Sequence, residues 1–355
     1  MLALAGVTRA LTRPTPVRGV SDGRVIVDAQ GDPVRVRNTP GEIDVFSGPG
    51  IGPYVIVSRS VAGLVGTRDT YDELVSADPL LRRAYPGIEH VPRPLSLHGP
   101  EAASTELLFR RDPRAIVTVP WAAKLFAGYG LPALSVDLKG NDKAIIEGTR
   151  MQAEIVGDPA RGAALIARYR AALTTIAAET KGLPKPRTLA IATEAGNRIT
   201  YYDRPLTPKL FAVAGAAYAA PKGSGALDPE RLLALDPEVI ILLPTRFTYP
   251  QSPLAAFLAQ PWSQGLQAVR ARRVYAVPPL FVPLGGDIVQ LPLYTRWLAE
   301  LVHPQALQSE MRRQTIAAAL RELRVTPTVA EIDRALAVDA NGAQAHYTRF
   351  KSAAR

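Results

Sequence analysis

Glu106-Leu-Leu-Phe-Arg-Arg-Asp112-Pro113-Arg-Ala-Ile-Val-Thr118 returns in altered form as Glu230-Arg-Leu-Leu-Ala-Leu-Asp236-Pro237-Glu-Val-Ile-Ile-Leu242. Each copy predicts one unit. A Glu opens a short apolar helix, and Asp-Pro stops it because the proline ring removes a backbone donor and biases the residue before it away from helix. A β-branched run then forms a buried strand. Two copies predict two similar lobes, each with a carboxylate at the mouth of a helix.

The pattern around the copies agrees. Residues 25–36 read as a hairpin turning at Gln30-Gly31, and 43–46 as a buried strand running into Ser47-Gly-Pro-Gly-Ile-Gly-Pro-Tyr54, a stretch too rich in Gly and Pro to be regular. Strands alternate with helices up to Val136 and again from Thr188, which predicts an α/β fold of two Rossmann-like lobes with mostly parallel sheets. Between them, 158–182 is the clearest helix. Asp158 caps it, Pro159 occupies its first turn, Gly182 closes it, and Leu165, Ile166, Tyr169, Leu173 and Ile176 form one apolar stripe. At about 1.5 Å per residue it is long enough to join two lobes as a rigid rod. The expected organisation is an N-terminal extension or signal remnant over 1–24, a first lobe over 25–157, the bridging helix over 158–182, a second lobe over 183–325, and a helical tail over 326–355, loosely attached beyond Ala337.

Composition narrows the function. A chain of 355 residues suits two domains, and the net charge of +10 suits an anionic ligand, a nucleic acid or a membrane surface. Only 8 of the 42 basic residues are Lys, and Arg is scattered rather than gathered into an aromatic-interleaved stripe, so no nucleic acid partner is expected. The absence of cysteine excludes disulfides, thiolate metal sites, cysteine nucleophiles and a lipid on Cys within this sequence. Met1-Leu-Ala-Leu-Ala-Gly-Val7 is apolar but short and follows no basic region, so it reads at most as the stump of a secretory segment.

Three further stretches carry a family resemblance: Leu232-Leu-Ala-Leu-Asp-Pro-Glu-Val-Ile-Ile241, Trp262 followed by Leu266-Gln-Ala-Val-Arg-Ala-Arg-Arg-Val-Tyr-Ala-Val-Pro278, and Trp297-Leu-Ala-Glu-Leu-Val-His-Pro304. Over residues 25–336 the chain resembles the periplasmic substrate-binding proteins of ABC importers for ferric siderophores, haem and cobalamin. The resemblance implies two lobes on one rigid helix, ligand in the cleft, little hinge closure, a periplasmic location and a monomer. It also implies that one Glu per lobe, here Glu106 and Glu230, docks on arginines of the ABC permease dimer. A carboxylate near a helix N-terminus is also stabilised locally by the macrodipole, by about 0.3–1 kcal/mol, so the matching register in both lobes is what favours docking. The first copy departs from the family at Phe109-Arg110-Arg111 and Arg114, and 70–98 aligns only loosely.

In open α/β sheets ligands gather beyond the carboxyl ends of the strands. The loops expected there hold Tyr54, Arg68, Trp121, Tyr201, Tyr202, Arg246, Phe247 and Phe281, the ligand-binding candidates, with Tyr249 beside them. Aromatic walls suit a bulky chelate, and an Arg fork suits its carboxylate or phosphate. A ferric siderophore is the first expectation, with haem, cobalamin or an oxyanion as alternatives. Tyr54 or Tyr202 could serve as an axial ligand to haem iron. No resident cofactor is expected, and four His make a bare transition-metal ion a poor ligand. Enzyme signatures are weak. Gly48-Pro-Gly-Ile-Gly52 is not a dinucleotide fingerprint, and no phosphate loop or Gly-x-Ser-x-Gly elbow occurs. The rival is a chelatase-like or synthase-like enzyme on similar lobes, for which His98 with Asp69 or Glu101 is the one titratable pairing suggested.

Overall fold

The computed structural model describes residues 17–38, 43–46, 52–67, 78–91, 108–136, 141–193, 198–201, 203–243, 253–280 and 288–351. The second repeated unit, and the first from Leu108 onward, form as helix, Asp-Pro stop and strand, with one addition. Asp112 and Asp236 each end their helix in the left-handed region, at φ 46 and 35, donating N–H to the carbonyl four residues back at 3.0 Å (Leu108 and Leu232). Aspartate tolerates this conformation better than most residues, and the proline that follows cannot extend the helix. The strands β6 (Ala115–Thr118) and β12 (Val239–Leu243) then start at the same spacing in both copies.

The first lobe is a parallel four-stranded sheet in the order β5 (Leu64–Thr67), β4 (Ile43–Phe46), β6, β7 (Ala133–Ser135). Helices α1 (Gly52–Ser58), α2 (Pro79–Ala84), α3 (Pro120–Gly128) and α4 (Asp142–Val156) belong to it. The predicted hairpin is β2 (Arg24–Val27) with β3 (Pro33–Val36), extended by β1 (Arg18–Gly19), so paired structure begins before residue 25. Its turn covers the free edge of β7: Ala29 N donates to Ser135 O at 3.0 Å and Ser135 N to Asp28 Oδ2 at 3.1 Å.

The second lobe has the order β11 (Gly225–Leu227), β9 (Ile199–Tyr201), β8 (Arg187–Thr193), β12, β13 (Val274–Ala276), with β10 (Ala217–Tyr218) also on β8. Residues alternate between two cores. Val239 and Ile241 face the core shared with the first lobe, whereas Ile240 and Leu242 face the outer one, as a sheet covered on both sides requires. Helices α6 (Leu206–Val213), α7 (Pro229–Leu235), α8 (Pro253–Leu258) and α9 (Gln267–Arg270) surround it, and α10 (Gln290–Val302) closes it.

The bridge is α5 (Pro159–Glu179), capped by Asp158 and followed by Gly182 at φ 81. Near its start Arg161 donates to the carbonyls of Ile56 and Val57 at the end of α1; just past its end Thr180 Oγ1 donates to Val213 O at 2.9 Å. One end is therefore held by each lobe. The expected stripe is buried, with Ile166 at its margin. Gly162 lets α5 approach α4, since a Cβ there would sit 2.5 Å from Ala153 Cβ. Gly162→Ala should cost about 1–3 kcal/mol through overpacking, seen as a lower midpoint of thermal unfolding.

The tail corrects an expectation. Over 338–351 it is packed rather than loose, and Tyr347 and Phe350 are each 0 % exposed. Asn341 pairs with the outer edge of β13 as another strand would: its Oδ1 accepts from Ala276 N at 2.8 Å and its Nδ2 donates to Ala276 O at 2.9 Å. Both sheet edges beside β7 and β13 are thus closed by segments remote in sequence.

Candidate functional site

Strand order locates the site. In the first lobe the chain leaves β4 for β5 on one side and β6 for β7 on the other, so the crevice of a topological switch point opens between β4 and β6. Trp121 stands there. It lies in the first turn of α3, directly after β6, and its side chain is 48 % exposed. An aromatic of this size left half in water at the carboxyl end of a central strand suits a ligand wall. The expectation of a loop at Pro120-Trp121 is corrected: Pro120 starts the helix, where its missing N–H costs nothing.

In the second lobe the equivalent reversal lies between β8 and β12. Antiparallel β11 pairs Leu227 with Ile199, which pairs with Thr193 at the carboxyl end of β8, so Asp228 and α7 begin on that same rim. Asp228 caps α7 through Arg231 N at 2.7 Å, and Glu230, in the first turn, is exposed.

Two other candidates are placed differently from the expectation that they lie in loops. Tyr54 is inside α1 and 3 % exposed; burial pushes its phenol up, against the opposing effect of Arg114. Tyr201 is inside β9, 8 % exposed and paired with Ile191, because β9 runs antiparallel and carries it away from the carboxyl ends. Arg68, Tyr202, Arg246, Phe247, Phe281, Glu106 and the His98, Asp69 and Glu101 grouping lie outside the described residues.

Sequence reasoning missed the polar cluster at the waist between the lobes. Asp142, at the start of α4, accepts from Tyr169 Oη of the bridge at 2.6 Å and pairs with Lys209 of α6 in the second lobe. Burial pushes the Tyr169 phenol up to about 12, so it remains a donor at any physiological pH. A helix-opening Asp-Lys pair in sequence is the only signal it left, and it does not name a partner in the other lobe. Among the described residues no group of three or more His, Cys, Asp or Glu could hold a metal ion, and no helix is long and apolar enough to cross a membrane.

Residues 131–280 match the family described as periplasmic binding protein. Over that stretch the chain is similar to the periplasmic binding proteins. The expected periplasmic location agrees with this match, and binding proteins of this family work with ABC transporter permeases and bind small ligands. No curated protein sequence matches the chain. Among solved structures, a periplasmic solute binding protein from Veillonella parvula shares the fold at TM-score 0.76 and 19 % identity, covering 90 % of this chain and 98 % of that one. The molybdate periplasmic binding protein MolA of Haemophilus influenzae, bound to molybdate, aligns at TM-score 0.71 and 17 % identity over 86 % and 99 % of the two chains. Helicobacter pylori CeuE with Ni(II) bound aligns at 0.68 and 19 %, over 88 % and 99 %. At these identities the likeness establishes the two-lobe periplasmic binding protein fold.

Proposed function

We propose that this chain captures a metal chelate between its lobes and delivers it to an ABC permease, with a ferric siderophore as the first ligand. The observation that carries this is Trp121, half exposed at the switch point of the first lobe. Arginines in the segments after the strands, Arg68 and Arg246, supply the complement to an anionic chelate, and the net charge of +10 favours its approach. Haem, cobalamin and molybdate are the alternative cargoes, molybdate because MolA, of the same fold, is bound to it. The work is binding, without bond chemistry.

Titration with each of these four compounds, followed by absorbance and tryptophan fluorescence, tests the reading. A ferric siderophore should bind, and Trp121→Ala should weaken it about tenfold, equivalent to about 1.4 kcal/mol. Binding of none, with turnover of a small molecule instead, would favour the enzyme. For delivery, Glu106→Ala with Glu230→Ala should leave affinity intact and abolish uptake in cells. Normal uptake by that double variant would remove docking from the account.

A further inference from the structure

The bridging helix is not alone in spanning the two lobes. After α10 the chain forms α11 (Met311–Ala318), one π-helical segment over Ala319–Leu323 and α12 (Val329–Ala335), and residues 321–331 of this stretch lie against the bridge and the first lobe. Three contacts fasten it there. The Glu322 carboxylate, 1 % exposed, meets Arg161 at 3.1 Å and Arg168 at 3.2 Å on the bridge, while Arg161 also binds the end of α1. Arg83 of α2 grips both carboxylate oxygens of Glu331 at 2.7 Å and donates to Thr326 O at 2.8 Å. Arg59, just past α1, donates to Arg321 O at 3.4 Å.

Immediately afterwards the same segment enters the second lobe. Leu280 N donates to Ala335 O at 2.9 Å, Asn341 takes the edge of β13, and Tyr347 accepts from Trp297 Nε1 of α10 at 3.0 Å. The rod, the shared core and the Asp142–Lys209 pair join the lobes at the waist, and a further connection through α2 and the end of α1 restrains twisting about the rod. Arg83 Nη1 is shared between the two oxygens of Glu331 while its Nη2 donates to Thr326 O, so the guanidinium is held to this segment at two points.

We propose that residues 319–347 form a second tie between the lobes, which together with α5 sets the width of the cleft, and that Arg83 and Glu322 are positioning residues for the ligand. The link to ligand rests on the binding function proposed above; the tie itself does not. Because the chain has no cysteine, spin labels can be placed at Lys124→Cys in the first lobe and Arg231→Cys in the second, both exposed, and the distance distribution between them read by pulsed electron resonance. The otherwise unaltered protein should show one narrow distribution. Arg59→Met with Arg83→Met, changes at the surface of the first lobe, should broaden and shift it while thermal unfolding stays cooperative. Glu322→Gln should do the same, and if that variant does not fold the arginine pair decides alone. An unchanged distribution in the arginine variant overturns the proposal. With a ferric siderophore as probe, the broadened variants should also lose affinity. A broadened distribution in a protein that binds no ferric siderophore would keep the tie and reject the ligand, so the two failures remain distinct.

Discussion

Glu322→Gln should lower stability by about 3–5 kcal/mol, the range for stripping one partner from a buried ion pair. The carboxylate sits among Arg161, Arg168 and Arg321, with Arg321 Nε at 2.7 Å. Removing its charge leaves the Arg161 guanidinium, with 6 % of its side chain exposed, facing two other cations. Its remaining partners, the carbonyls of Ile56 and Val57, satisfy hydrogen bonds without neutralising charge. Arg161→Met should cost less, because Glu322 keeps two arginines and the methionine fills part of the space. Equilibrium urea unfolding of both variants gives the comparison, and an equal or reversed order would refute this account.

The same carboxylate fixes a pH dependence. Burial alone would raise the Glu322 carboxyl, but the hydrogen bond from Arg321 and the charges of Arg168 and Arg161 outweigh it and hold it below the usual carboxylate range. For Glu331 the bonds from Thr328 and Arg83 likewise outweigh burial. A group whose folded value is depressed contributes stability that is complete above its unfolded value and is lost as pH falls through the folded one. The contribution should therefore hold at neutral pH and disappear only in acid, and the Glu322→Gln variant should show a shallower acid limb in urea unfolding measured across pH.

Tyr347→Ala should cost about 3–5 kcal/mol, the usual loss for truncating a buried aromatic side chain. The ring stacks on Tyr275 at 6.0 Å and meets Phe350 edge-on at 5.0 Å, and its hydroxyl donates to Leu336 O at 2.6 Å while accepting from Trp297 Nε1. Tyr347→Phe keeps the ring but leaves the Trp297 N–H and the Leu336 carbonyl without that partner, for about 1–3 kcal/mol. Thermal unfolding should rank the wild type above Tyr347→Phe above Tyr347→Ala. A melting point unaffected by the alanine would mean that the tail contributes nothing to the fold.

The elements themselves were readable wherever local chemistry sets them. Asp158 and Pro159 define the start of the bridge, and the Asp-Pro pairs end both repeated helices, because caps and proline act within a turn of where they stand. The position of Trp121 at the carboxyl end of a strand was readable because it follows that strand almost directly. Tyr201 was misplaced because a short apolar run reads alike whether the next segment is a loop or an antiparallel strand. The tail was misread because Tyr347 and Phe350 are isolated aromatics in an alanine-rich stretch with no periodicity to reveal a buried face.

From the residues alone came the two lobes, the rod between them and an exposed Glu230 at a helix start, since period, capping and backbone donors are properties of neighbouring positions. Tertiary structure alone decided that Glu322 meets Arg161, that Arg83 meets Glu331 and that Asp142 meets Lys209. In each pair the partners are far apart in the chain, and a carboxylate carries the same charge and hydrogen-bonding capacity at every position. Which cation it meets depends on the path of the backbone between them, which no local pattern encodes.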